Sequence, residues 1–172
     1  IVTLPMLIMT KRVFPLLLAI VSFTCKTPPA NAPAVGVIAD SAMVVSAHPL
    51  ASRVGADILK AGGNAVDAAV ATQLALAVVY PSAGNLGGGG FMVMRNRDGS
   101  TATLDYREKA PGLSTRDMYL DADGNVRKGL SEKGHLSSGV PGSVAGMVQA
   151  HQRFGSLPWK DLVQPAIDLA HN

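Results

Sequence analysis

Arg107 is the residue whose type and setting most clearly predict chemistry. It follows a predicted strand within the stretch from Asn85 to Pro111, and a glycine-rich segment precedes that strand. A guanidinium group can hold a carboxylate through two parallel hydrogen bonds, so this stretch predicts a carboxylate-binding site. The alternative is that Arg107 pairs with Asp105 or Glu108, because charged residues at strand ends are commonly solvated or paired. Glu108 is also a candidate for orienting the guanidinium.

Four consecutive glycines lie ahead of the arginine: Gly87, Gly88, Gly89 and Gly90. A phosphate-binding loop follows a strand and opens a helix, whereas these glycines follow a predicted helix and open a strand. The G-x-x-x-x-G-K-[ST] pattern is absent from the sequence. We therefore interpret the glycines as positions where the backbone packs closely beside a substrate pocket, with ligand contact as a secondary role.

Histidine and serine patterns favour structural roles over catalytic ones. The sequence contains four histidines, at His48, His135, His151 and His171. Their spacing matches no H-x-x-x-H or H-E-x-x-H pattern, so we expect a helix-entry role for His48, a helix-surface role for His151 and no metal site. The G-x-S-x-G elbow of serine hydrolases is also missing. Helix capping is the role expected for the serines of the later loop, at Ser137, Ser138 and Ser143.

A predicted β-hairpin positions the arginine. Residues 91–94 form a short apolar run, and residues 97–100 contain the Asp-Gly dipeptide that is typical of tight hairpin turns. Residues 101–106 return with threonine and leucine side chains that suit a pleated surface. Pro111 then closes the strand, because proline has no N–H to donate to a sheet.

The elements before the hairpin are predicted from apolar runs and capping signals. Residues 41–47 read as a buried first strand. A helix over residues 48–61 has Pro49 in its first turn and two glycines after its end. A second, apolar helix is predicted over residues 65–79. Its start carries a capping-box-like pair, Asn64 and Asp67.

Two more helices are predicted after the hairpin, from Pro141 to about Arg153 and from Trp159 to about His171.

Aromatic residues make up only 5% of the chain, so the core should consist of Ala, Val, Leu and Met. The net charge of +3 comes from the first 32 residues, because Lys11, Arg12 and Lys26 all precede Ala32. Without those three residues, 12 basic residues face 12 acidic ones, and no basic patch favours nucleic acid as a partner.

Residues 1–32 are predicted to be a secretory signal peptide. A positively charged segment after Met9, the expected true start, leads into the apolar run 13–23 and an A-x-A cleavage site at residues 30–32. The run is too short to span a bilayer, so no transmembrane span is predicted. We expect a periplasmic or secreted location for the mature part, residues 33–172. A lipid anchor at Cys25, the only cysteine, is the alternative.

Five stretches in order resemble the γ-glutamyltranspeptidase (glutathione hydrolase) family, in the N-terminal part of its large subunit. They are GNAVDAAVA at residues 63–71, NLGGGGFMV at 85–93, DYREKAP at 105–111, SSGVPGSVAGM at 137–147 and FGSLPWKDLVQPAIDLA at 154–170. The resemblance covers about residues 42–172. It implies an α+β fold, the incomplete N-terminal portion of an Ntn-hydrolase αββα sandwich.

The resemblance also implies a reaction. In this family the arginine of the motif, here Arg107, binds the α-carboxylate of the γ-glutamyl group. The nucleophile is a threonine that self-cleavage exposes at the start of the small subunit, with its own amine as the base. This sequence holds no such catalytic residue, and the family needs no cofactor and no metal. The implied partners are glutathione or other γ-glutamyl compounds, an amino acid or peptide acceptor, and the remainder of the large subunit with the small subunit.

Two hypotheses of different class follow. The chain is either the opening part of a γ-glutamyl-transferring enzyme or a truncated, catalytically inactive secreted fragment that at most binds a carboxylate. A small exported lipoprotein anchored at Cys25 is a third option. Protein sequence beyond Asn172 would separate the first two. A hairpin without further strands would expose an unpaired edge, so we expect the isolated chain to fold poorly and aggregate.

Overall fold

The computed structural model describes residues 36–171. The predicted leader, with Met9 and Cys25, lies outside the described residues. From Ala39 onward the chain forms one compact unit. No helix within residues 36–171 is long and apolar enough to cross a bilayer.

Helix α1 (Pro49–Lys60) begins and ends where the sequence predicted. The ring nitrogen Nδ1 of His48 accepts a hydrogen bond from the Leu50 N–H at 3.3 Å, which makes His48 the N-cap. Pro49 occupies the first helical position, where its missing N–H costs nothing. Gly62 follows the helix with a φ of +94°, a conformation that glycine adopts without strain.

Helix α2 (Ala65–Val79) is the central element of the fold, because it contacts α1 and both of the later helices. Its start is a capping box: Asn64 Oδ1 accepts from the Asp67 N–H at 3.0 Å, and Asp67 Oδ2 accepts from the Asn64 N–H at 2.9 Å. The predicted apolar helix is confirmed, with Val70, Ala71 and neighbouring side chains fully buried. Apolar residues all round this helix allow it to be covered from several sides at once.

Strands β1 (Phe91–Arg95) and β2 (Thr101–Asp105) form the predicted antiparallel hairpin. Gly99 takes a φ of +87° in the turn, as the Asp-Gly dipeptide predicted. Met92 pairs with Leu104, and both belong to the face that packs on the helices. Phe91 and Val93 point to the opposite face and are largely exposed. One face of the hairpin is therefore core and the other is open.

The last two helices, α3 (Ser143–Phe154) and α4 (Trp159–His171), match the predicted segments. Helix α3 contacts α2 and β2, whereas α4 contacts α2. Met147 from α3 and Leu162 from α4 are fully buried in the core that α1, α2 and β2 share. The core thus lies between the helices and the inner face of the hairpin.

The strand predicted over residues 41–47 is wrong. This segment has no strand assignment, and Val45 is 81% exposed. Only Val44 packs against the core. No described strand lies beside the segment, so its backbone has no ladder to join, and an apolar run alone cannot make a strand.

Candidate functional site

Arg107 lies two residues past the end of β2, with an exposed side chain. The ladder continues beyond the assigned strands, because the Tyr106 N–H donates to the Gly90 carbonyl at 3.1 Å. The Arg107 N–H donates to the Asp105 carboxylate at 3.0 Å, which fixes the turn out of the strand. Hydrogen bonds at Tyr106 and at the Arg107 N–H therefore fix the backbone here, while the Arg107 side chain extends away from the sheet.

The guanidinium of Arg107 has no carboxylate within 4.0 Å in the part of the chain that the structure describes, where the ion pairs are Lys60–Asp57 and Arg116–Asp117. Pairing of this guanidinium with Asp105 or Glu108 is thus not observed. Asp105 binds the Arg107 backbone instead. Glu108, the candidate for orienting the guanidinium, is exposed and makes no ion pair with it. Such a guanidinium is available to a carboxylate from outside.

Two clefts meet at Arg107. The larger, of about 510 Å³, is lined by residues 107–111, part of the turn between Ser114 and Tyr119, and residues 136–139. The other, of about 370 Å³, lies on the side of Gly142 and Gln149. A third cleft of about 500 Å³ at the hairpin includes Arg95 and Arg97 but none of the glycine loop. The clefts at Arg107 are lined by its guanidinium, by side-chain hydroxyl groups and by backbone polar groups, which suits a small polar ligand.

Three of the four glycines pack closely, as the sequence predicted, and the fourth does not. A Cβ added to Gly89 would lie 2.6 Å from the Glu108 N and 2.8 Å from the Arg107 Cα. A Cβ on Gly90 would meet the Tyr106 ring at 2.7 Å, and one on Gly88 would meet the Asn85 side chain at 2.6 Å. Gly87 has open space around it. The glycine loop therefore packs directly against the backbone of Arg107.

Helix α3 packs on the other side of the same segment. A Cβ on Gly142 would stand 1.9 Å from the Tyr106 carbonyl oxygen, and one on Gly146 would stand 2.1 Å from Tyr106 Cγ. Burial raises the pKa of the Tyr106 hydroxyl, although its hydrogen bond with Gln73 acts in the opposite direction. Lys109 and Val140 exchange two backbone hydrogen bonds, of 3.2 and 2.8 Å, just beyond Arg107.

Two of the minor expectations for histidine and serine need correction. His151 is not a plain surface residue, because its ring stacks edge-on against Trp159 and its Nε2 lies 2.7 Å from the Leu157 carbonyl. Ser143 does not cap α3, since the cap is Gly142 and the serine hydroxyl donates to Asn85 Oδ1 at 2.5 Å. Residues 36–171 contain no group of three or more His, Cys, Asp or Glu side chains that could hold a metal ion.

Tyr106 and the Asn85–Ser143 contact are features of the site that sequence reasoning missed. One signal was available for the tyrosine. Gly142 and Gly146 are four residues apart and so share one helix face, which indicates that something bulky approaches there. Nothing in the sequence pattern could pair Asn85 with Ser143 across 58 residues.

The profile of the family described as gamma-glutamyltranspeptidase matches residues 51–172. The glutathione hydrolase proenzyme of Pseudomonas sp. (strain A14) is 56% identical over 132 residues, which are 77% of this chain and 23% of that protein. That of Escherichia coli (strain K12) is 53% identical over 136 residues, with 79% and 23% covered. The chain therefore spans about a quarter of the length of these curated relatives.

Solved structures give the same result. The γ-glutamyltranspeptidase of Helicobacter pylori superimposes with a TM-score of 0.74 at 50% identity, over 78% of this chain and 38% of that chain. The enzyme of Pseudomonas nitroreducens, solved in complex with L-DON, gives a TM-score of 0.71 at 52% identity, over 76% and 39%. These matches confirm the predicted fold class, α+β and a partial Ntn-hydrolase sandwich. The chain belongs to the γ-glutamyltranspeptidase family.

Proposed function

We propose that this chain provides the α-carboxylate site of an enzyme that transfers γ-glutamyl groups from glutathione and related compounds to water or to amino acid or peptide acceptors. The observation that carries this proposal is the Arg107 guanidinium, which is exposed at two clefts and has no acidic partner among residues 36–171. Two parallel N–H···O bonds from that group would fix the amino acid end of the γ-glutamyl moiety.

The reaction itself needs a nucleophile that we place beyond residue 172. A threonine hydroxyl attacks the γ-carbonyl carbon, its proton passes to the threonine's own amine, and the amine leaving group departs with a proton. Water or an acceptor amine then attacks the resulting ester and releases the threonine. Among residues 36–171 the threonines lie inside elements or loops and none begins a chain: Thr72 is buried within α2, Thr101 and Thr103 lie in β2, and Thr115 lies in an exposed loop. We propose that the chain alone is inactive.

The partners in this proposal are the remainder of the large subunit and a small subunit. The chain's 23% share of the length of its curated relatives supports this. We also propose export to the periplasm or beyond, on the strength of the predicted leader at residues 1–32. Intact mass and peptide mapping of native material would test both, because export predicts a mature chain that begins near residue 33. Peptides beyond Asn172 and a second chain that starts with threonine are expected, whereas a lone species ending at Asn172 would favour the inactive fragment.

The arginine is tested in the native polypeptide that carries this chain. Arg107→Ala should raise the KM for a γ-glutamyl anilide at least about a hundredfold, because two hydrogen bonds to a charged group are lost and each is worth about 1.5–3 kcal/mol. Arg107→Lys keeps the positive charge but cannot form two parallel hydrogen bonds to one carboxylate, so it should recover only part of the affinity. Arg97→Ala, at the exposed hairpin turn, is the control and should leave KM unchanged. An unchanged KM in Arg107→Ala would refute the carboxylate role.

A further inference from the structure

Asn85 and Ser143 join the glycine loop to the start of α3. Ser143 is fully buried, and its hydroxyl donates to Asn85 Oδ1 at 2.5 Å. The same Oδ1 accepts the Gly88 N–H at 2.9 Å. One side-chain oxygen thus receives a donor from the loop and a donor from the helix.

The backbone makes the same connection, again with the helix start as the donor and the loop as the acceptor. The Gly88 carbonyl oxygen accepts the Gly142 N–H at 2.7 Å and the Ser143 N–H at 3.0 Å. The first N–H groups of a helix have no partner within the helix, so an outside carbonyl satisfies them here. Three hydrogen bonds, all donated by the helix start and accepted by the loop, therefore tie the two segments together and fix the spacing between them.

The segment that carries Arg107 fills that spacing. Gly89 touches it from the loop side, where an added Cβ would be 2.8 Å from the Arg107 Cα. Gly142 touches it from the helix side, where an added Cβ would be 1.9 Å from the Tyr106 carbonyl oxygen. A change in the distance between loop and helix must therefore move the Arg107 backbone or release it.

We propose that Asn85 and Ser143 are positioning residues that set the location of the Arg107 guanidinium, an inference that rests on the proposed carboxylate role of Arg107. Neither side chain lines the clefts at Arg107, so they act through the loop and the helix and not by contact with substrate. Because a substrate carboxylate is bound equally before and during the chemical step, loss of its anchor should raise KM and leave kcat nearly unchanged.

The kinetic test uses the native polypeptide that carries this chain. Asn85→Ala and Ser143→Ala should each raise the KM for a γ-glutamyl anilide about tenfold, with kcat changed less than about twofold. Asn85→Asp keeps an oxygen that accepts both donors and should restore the KM. Asn125→Ala, in an exposed turn, is the matched control. A 4-aminobutyryl anilide, which lacks the α-carboxylate, should be insensitive to Asn85→Ala.

The outcomes separate this inference from the proposed function. If Arg107→Ala leaves KM unchanged, the carboxylate role fails, and the inference fails with it. If Arg107→Ala raises KM but Asn85→Ala does not, or if Asn85→Ala lowers kcat for both anilides alike, only the positioning role fails.

Hydrogen exchange on the native polypeptide that carries this chain gives a readout that needs no activity. Asn85→Ala should speed amide exchange at residues 86–90 and 106–109, while Asn85→Asp and Asn125→Ala should match the wild type. Wild-type protection at residues 106–109 that persists in Asn85→Ala would overturn the inference. The absence of such protection in the wild type would also overturn it.

Discussion

The Cα of Gly146 lies directly against the ring of Tyr106, so closely that a Cβ added to Gly146 would stand 2.1 Å from Tyr106 Cγ. Because the ring precedes Arg107 by one residue, this contact connects the packing of α3 to the position of the Arg107 side chain. Alanine is normally preferred to glycine inside a helix. At this position the preference should be reversed, because the neighbouring ring atoms are anchored to the strand.

Gly146→Ala should therefore destabilise the chain by about 1–3 kcal/mol, the usual cost of overpacking a core. Urea unfolding of the variant and the wild type measures the difference. Gln149→Ala, on the exposed side of the same helix, should be neutral or slightly stabilising. A Gly146→Ala variant with unchanged stability would mean that Tyr106 is free to move.

The glycine loop offers an internal comparison between Gly89 and Gly87. Gly89→Ala would drive a methyl group into the backbone of Arg107 and Glu108, whereas Gly87 has nothing within 4 Å of an added Cβ and no positive φ. We expect Gly89→Ala to lose about 1–3 kcal/mol and to weaken carboxylate binding, and Gly87→Ala to be nearly neutral. Unfolding curves and the KM of the native polypeptide check this, and equal effects would contradict it.

Asp67 links stability to pH. Burial alone raises the pKa of this carboxyl group, but hydrogen bonds from Ser156, Asn64 and Leu157 outweigh it and lower the pKa below its ordinary value of 3.8. A carboxylate with a lowered folded-state pKa stabilises the fold fully above its unfolded pKa. That stability disappears as the pH falls through the folded pKa.

Asp67→Asn should cost about 2 kcal/mol at neutral pH, because the new amide N–H groups would face the Ser156 hydroxyl and the Asn64 N–H, which donate to the carboxylate in the wild type. The variant should also lose part of the acid dependence of unfolding below about pH 5. Urea midpoints measured from pH 7 to pH 3 test both effects. Asp123→Asn, in an exposed turn, is the control, and an Asp67→Asn variant with the wild-type acid slope would refute the linkage.

Thr72 carries a buried hydroxyl that has no hydrogen-bond partner among the described residues. Valine has nearly the same shape and no polar atom, so Thr72→Val should stabilise the chain by about 1 kcal/mol. Thermal or urea unfolding would show the gain. Thr115→Val, at an exposed position, should show none. Destabilisation by Thr72→Val would indicate that the hydroxyl has a partner after all.

Local signals predicted most of the fold. Asp98-Gly99 located the hairpin turn, and Asn64 with Asp67 located the start of α2, because turns and caps depend on a few neighbouring residues. The apolar run at residues 41–47 misled, because a strand needs a neighbour that periodicity cannot supply. The motif and the position after β2 predict Arg107 as a site residue, but they do not predict the packing that holds its backbone. That packing joins residues far apart in the chain, and no local pattern encodes such pairs.

The partners of Asp67 also determine when this chain can finish folding. The Asp67 carboxylate accepts hydrogen bonds from Ser156, which lies 89 residues later in the chain. At a synthesis rate of about 5–20 residues per second, that delay is roughly 5–20 seconds on the ribosome. During this interval α2 has its own N-terminal cap, but Asp67 lacks the hydrogen bonds that the Ser156 N–H and hydroxyl donate to it. A nascent chain stopped before Ser156 should therefore be far more sensitive to protease than one released after it.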